Sequence, residues 1–250
     1  MNPRNPEAQY MSVLDGKIVQ VGDLNTIKPE GKYELDKSFE KYVLMPGLVE
    51  GHSHLFEGAL WSKLYCGYFD RQQPDGAISL GIKNVKELIQ KLKQENEKLL
   101  DPNEPLAGWG LDPIYFDDKA LDRKILDVVS DQRPIGILHA SGHKLNINSV
   151  GLKLAGFLRT GINHEGLPLG EDGLPSGEIR GAETIALVTR HVGLGKDWLS
   201  GDAEGLRNFG KICARAGVTT AADLANLQTD EAVEMMPVSY THLRAHETDR

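Results

Sequence analysis

Apolar and polar positions in residues 9–21 predict a β-hairpin: Met11, Val13 and Leu14 fall in one run, Ile18, Val19 and Val21 in the next, and the turn pair Asp15-Gly16 separates them. Residues 24–37 are polar around Pro29 and Gly31 and read as loop. A second apolar run, 43–49, is broken by Pro46-Gly47 and predicts a strand. Residues 57–81 are rich in glycine and aromatics without a period, which predicts a long loop. Its segment YCGYFDRQQPDG reads equally as a lid beside a substrate or as a structural insertion. In residues 85–100, Val85, Leu88, Ile89, Leu92, Leu99 and Leu100 fall mostly on one helical face, with charges opposite. Short apolar strands follow at 105–112 and 135–138, joined through Leu121, Ile125 and Val129. After them come a short helix ending at Gly156 and a glycine- and proline-rich stretch. A helix at 202–216, with Leu206, Phe209, Ile212 and Cys213 inward and Gly217 behind it, leads into a strand at 218–222 that ends in Asp223.

Candidate chemistry gathers at the end of the second apolar run. His52 and His54 are two residues apart, and in an extended strand such residues point to the same face while Ser53 points away. Two imidazoles side by side are half of a metal site. His139 and His143 lie in the loop after the strand at 135–138, with Asn146, Asn148 and Ser149 following. Trp109 and Asp112 end the strand at 105–112. By themselves they read as a packing tryptophan with a turn-forming acid. Asp223, an acid ending a strand, reads by itself as a cap for the next segment.

Composition narrows the partners. A net charge of −8, from 36 acids against 28 bases, argues against a nucleic-acid backbone as ligand. Cys66 and Cys213 are far apart and fit no metal-type spacing, so they read as structural thiols of a reducing compartment. Residues 1–10 lack the apolar core of a signal peptide, and no apolar run reaches membrane-spanning length. The expectation is a cytoplasmic protein acting on a small molecule, without nucleic-acid or membrane partners.

The segment MPGLVEGHSHLFEGALW resembles the first barrel strand of the metal-dependent amidohydrolase superfamily. The closest likeness is to amidohydrolase family 3, the exo-type branch that includes N-substituted formamide deformylases. The stretch around His143, Asn148 and Ser149 is similar to that family's Asp-Gly-His…Asn-Ser signature, with Ser141 where an acid is usual. Gly173, Pro175, Ser176 and Gly177 match a further pattern, whose later acid is Glu183. The element ending in Asp223 matches another barrel strand.

The resemblance covers residues 9–236. It implies an α/β fold, an incomplete (β/α)8 TIM-type barrel over residues 45–236 with about four barrel strands, preceded by a partial β-sandwich segment over residues 1–44. It also implies that the chain starts late in that sandwich. It implies His52 and His54 as ligands of a divalent ion, most plausibly zinc, His143 as a catalytic imidazole, and Trp109, Asp112 and Asn148 as substrate contacts. The reaction implied is hydrolysis of a non-peptide carbon–nitrogen bond in an amide or formamide by metal-activated water. A deaminase or cyclic-amide hydrolase, or a fold that binds metal without turnover, stays open. The superfamily's later histidines, its late-strand aspartate and its bridging lysine have no counterpart here, so the expectation is an N-terminal portion that is inactive by itself. Residues 237–250 read as a foreign tail, and His242 and His246 within it are not counted as ligands.

Overall fold

The computed structural model describes residues 7–27, 31–116, 121–195 and 203–224. The expected foreign tail lies outside them. The chain divides into two compact units between Leu48 and Val49.

In the first unit, β1 (Tyr10–Leu14) and β2 (Lys17–Gly22) form the expected antiparallel hairpin, with an irregularity between Ser12 and Val13. Asp15 and Gly16 have φ of 50° and 74°. Positive φ at both central positions defines the two-residue turn whose twist suits adjoining strands. Asp23 and Thr26 then close a tight turn through reciprocal hydrogen bonds of 3.0 and 2.8 Å.

The strand β3 (Leu48–Ser53), whose residues from Val49 on belong to the second unit, carries the paired histidines, and α1 (Glu57–Leu60) follows at once. The expected loop beyond it holds three two-residue strands: β4 (Leu64–Tyr65), β5 (Arg71–Gln72) and β6 (Ile78–Ser79), the last two paired with each other. Helix α2 (Val85–Lys98) starts where Asn84 accepts a hydrogen bond from the Glu87 amide at 2.9 Å while its own side chain reaches Glu87, a reciprocal cap. The remaining elements are β7 (Leu106–Leu111), α3 (Arg123–Asp127), β8 (Ile135–His139), β9 (Lys144–Ile147), α4 (Ser149–Leu154), β10 (Glu178–Arg180), α5 (Ala182–Val188), α6 (Ala203–Arg215) and β11 (Val218–Asp223).

The strands β10-β9-β8-β7-β4 form one five-stranded sheet, in which β4, β7 and β8 run parallel and β9 and β10 are antiparallel additions. The strand β3 is not in it; its hydrogen-bonded partner is β11. The four strands expected to belong to one barrel are therefore split. Those at 106–111 and 135–139 build the five-stranded sheet, and those holding His52 and Asp223 pair with each other.

Alternation along the parallel strands sorts two cores. Ala107, Trp109 and Leu138 join a cluster with Ile147, Leu152, Ile179, Ile185 and Val188, whereas Leu106, Leu111, Ile135 and Ile137 join one with Leu88, Leu92, Leu126 and Cys66. A strict period of two would put Leu111 beside Trp109. Gly110, with φ of 88° at a break in register against β8, adds one residue and returns Leu111 to the other face. Gly108 sits where a Cβ would lie 2.8 Å from the Cys66 sulfur, so the close approach of β4 to β7 depends on its missing side chain.

Two buried arginines tie loops to this frame. Arg133 donates to the carbonyls of Leu99 at 2.9 Å, Asp101 at 2.6 Å and Glu104, and to Asn96 at 2.7 Å, which fixes the exit of α2. Arg123 pairs with Asp172 at 2.5 Å and, helped by Lys124, holds that carboxyl well below the usual carboxylate range. No helix among the described residues is long and apolar enough to cross a membrane.

Candidate metal centre

The histidine strand is held at its far end. Ser53, facing away from the histidines as its position predicts, donates through Oγ to the carbonyl of Ala222 at 3.0 Å, and its own carbonyl accepts from the Leu224 amide at 3.2 Å. The chain then turns into α1, and α1 packs on α6 at a glycine crossing: a Cβ on Gly58 would meet the Gly205 carbonyl oxygen, and one on Gly205 would meet Ala59. Since α6 leads directly into β11, the contact places the end of β3 beside the end of β11.

The geometry brings His52, His54 and Asp223 together. The imidazole rings of His52 and His54 lie 5.2 Å apart, edge to face at 81°. His54 also stacks on Phe56 at 5.3 Å and 7°. Its Nδ1 lies 3.8 Å from Asp223 Oδ1, and that nitrogen is buried without a hydrogen-bond partner. Glu50 stays local, accepting from the His52 amide at 3.0 Å.

Two groups that the sequence reading did not single out stand nearby. Burial raises the Glu57 carboxyl above its ordinary range although part of the side chain remains exposed, and the charges of His54 and Arg71 oppose that rise. The Arg71 guanidinium in turn lies 5.9 Å over the ring of Trp109. Glu57 carried a faint signal, as an acid in the first turn of a helix opened by the histidine motif. Arg71 carried none.

The other expected site residues belong to the five-stranded sheet. Trp109 packs with Trp61 at 5.0 Å and Tyr65 at 5.1 Å, and its indole Nε1 is buried without an acceptor. Asp112 caps the short helical turn Pro113–Tyr115, accepting from the Ile114 amide at 3.2 Å. Asn148 is fully buried. Its oxygen accepts from the amides of Ile135 and Gly151, both at 3.0 Å, and its nitrogen donates to the carbonyls of Ser130 at 3.0 Å and Arg133 at 2.8 Å. That uses every donor and acceptor of the amide, so Asn148 latches four backbone groups together. His143 is exposed in the turn between β8 and β9, with its backbone bonded to Ser141 and Gly181. His139, read as structural, is 5% exposed and shares a 2.5 Å hydrogen bond between its Nε2 and Asn146 Oδ1. Burial lowers its pKa against the opposing hydrogen bond from Asn146, which favours the neutral ring.

The residues around His54 suit a divalent ion in donor type, two imidazoles with carboxylates at hand. Among the described residues no group of three or more histidines, cysteines or acids converges tightly enough to hold one.

A family model described as "Amidohydrolase family" matches residues 41–248. The chain belongs to that family. It is 28% identical over 225 residues to Protein LONG AFTER FAR-RED 3 of Arabidopsis thaliana, a match that covers 88% of this chain and 35% of that protein. It is also 28% identical over 176 residues to YtcJ of Bacillus subtilis (strain 168), which bears an amidohydrolase name; that match covers 68% of this chain and 30% of the relative. The chain thus spans about a third of the length of these curated relatives. Two crystal structures, titled as uncharacterized metal-dependent hydrolases from Pyrococcus horikoshii OT3 and Pyrococcus furiosus, align over 85% and 84% of this chain and 38% and 39% of theirs. Their TM-scores are 0.45 and 0.41, at 18% and 15% identity.

Proposed function

We propose that this chain is the metal-holding front part of an enzyme that hydrolyses a non-peptide carbon–nitrogen bond, of the amide or formamide type, in a small molecule. The observation that carries the reading is the side-by-side pair His52 and His54 at the end of a strand locked to β11, in a chain whose family match begins just upstream of it. In this reading β3 and β11 are neighbouring strands of the barrel wall, and the five-stranded sheet is an insertion between them.

His52 and His54 would hold a divalent ion, zinc in our assignment. When bound, such an ion supplies Lewis-acid chemistry and lowers the pKa of a coordinated water toward neutrality. The rest of the work falls to side chains. Glu57, its carboxyl raised by burial, stands where a proton-holding group beside the histidines is useful. Trp109 offers a buried indole N–H with no acceptor to a substrate oxygen. His143, an exposed imidazole at the carboxyl end of β8, is assigned to contact the substrate.

The test is direct. Zinc content is measured by elemental analysis on the purified chain and on the His52→Ala, His54→Ala double variant, with circular dichroism as a control for folding. Loss of zinc from a folded double variant is expected, and unchanged zinc would overturn the assignment.

A further inference from the structure

We propose that Asp223 is the positioning residue for His54: its carboxylate accepts the Nδ1–H of the imidazole and so fixes the tautomer that would leave the Nε2 lone pair free to hold an ion. The inference rests on the reading of His52 and His54 as a ligand pair and deepens it.

Four observations lead there. His54 Nδ1 is a buried polar atom with no hydrogen-bond partner, a condition that costs free energy unless a partner is close. Asp223 Oδ1 is 3.8 Å away, about 1 Å beyond a normal hydrogen bond, and both side chains are largely buried, at 26% and 14% exposure. The ring is already clamped by Phe56 on its face and His52 at its edge, which restricts it to small in-plane shifts. The backbones are stapled at the same level, through Ser53 to Ala222 and Leu224 to Ser53, so the two side chains approach from a fixed frame.

The alternative is that Asp223 is itself a ligand, with the ion on Nδ1. That nitrogen is sealed from solvent, whereas a catalytic ion must keep one position open to water. The sealed nitrogen therefore suits an orienting hydrogen bond and the distal one suits the ion. Outer partners of this kind fix ring orientation and raise the basicity of the ligand, and their removal typically costs about 10–100-fold in metal affinity.

The experiment uses the 250-residue chain. In the metal-free protein, nitrogen-15 NMR of the imidazoles reads the His54 tautomer without any substitution, with His54→Gln identifying the resonance. A proton on Nδ1 is expected, and a proton on Nε2 overturns the proposal. Zinc titration against a competing chelator then compares wild type with Asp223→Ala and Asp223→Glu, each checked for unchanged melting temperature. Asp223→Ala should bind zinc about 10–100-fold more weakly and Asp223→Glu should recover part of the loss. Equal affinity in all three overturns the proposal. So does a cobalt-substituted spectrum in which Asp223→Ala loses an oxygen ligand, because Asp223 then binds the ion directly. Zinc retained by the His52→Ala, His54→Ala variant would defeat the ligand pair instead, and leaves the tautomer measurement to judge Asp223 separately.

Discussion

A Cβ placed on Gly58 would lie 1.9 Å from the carbonyl oxygen of Gly205 and 2.7 Å from the Phe209 amide nitrogen. Real Cβ atoms do not approach backbone so closely, so α1 and α6 cross at this distance because neither glycine carries a side chain. Gly58→Ala should force the helices apart at a cost of about 1–3 kcal/mol. Because α1 follows His54 and α6 precedes β11, zinc affinity should fall with it. Urea unfolding and zinc titration check the two effects, and a variant with wild-type stability would show that the crossing yields without cost.

Asn148→Ala strips an amide that satisfies four backbone groups at once. Stranding buried hydrogen-bonding groups should destabilise the chain by about 3 kcal/mol. Asn148→Asp keeps the acceptor for Ile135 and Gly151 but loses both donors, so it should be nearly as damaging. Measured midpoints of chemical denaturation decide the matter. A stable Asn148→Ala with altered substrate affinity would return the residue to the substrate-contacting role.

His139 sets a pH dependence whose sign follows from burial. Its pKa is lowered in the folded state, while the unfolded chain takes up a proton below about pH 6.5. Between those two values the unfolded state holds more protons, so stability is greatest when the ring is neutral and declines as pH falls below about 6.5. His139→Gln should flatten that decline. Unfolding free energies at pH 7.5 and 5.5 for both proteins test it, and identical slopes would mean that another group governs the acid limb.

The 250-residue chain should show no turnover on a panel of N-formyl and N-acyl substrates. The described residues bring two imidazoles and no converging third donor, and a two-imidazole set holds a divalent ion weakly compared with a three- or four-ligand site. Stoichiometric zinc together with hydrolysis would show that the catalytic set is already present.

Legibility from sequence followed the strength of the local signal. The hairpin at Asp15-Gly16, α2 and α6 were readable because turn chemistry or a sustained apolar period fixed each of them, and β11 because it follows the helix stopped at Gly217. The side-by-side placement of His52 and His54 was readable because a spacing of two on a strand puts both on one face. The two-residue strands β4, β5 and β6 are too short to show any period, and they vanished into an expected loop. The strands at 106–111 and 135–139 were recognised as strands, yet nothing local revealed that they pair with each other and with β4, leaving β3 to β11. The hydrogen bonding of Asn148 was hidden for a related reason: its four partners are backbone groups, and backbone carries no letter code.

The pairing of β3 with β11 joins residues as far apart as Ser53 and Ala222, 169 positions in sequence. Between them lies a sheet whose parallel strands are linked by helical crossovers and which is lined by both of the described cores. Closing so long a loop through disordered chain carries an entropy cost that grows with the logarithm of its length, and a folded insert shortens the effective span. Topology predicts an order: the intervening sheet, with its more local contacts, should condense first and draw the histidine strand and the aspartate strand within reach. On the proposed function, metal uptake should then report the last stage of folding and lag behind the burial of Trp109, which stopped-flow fluorescence and zinc-release kinetics would compare.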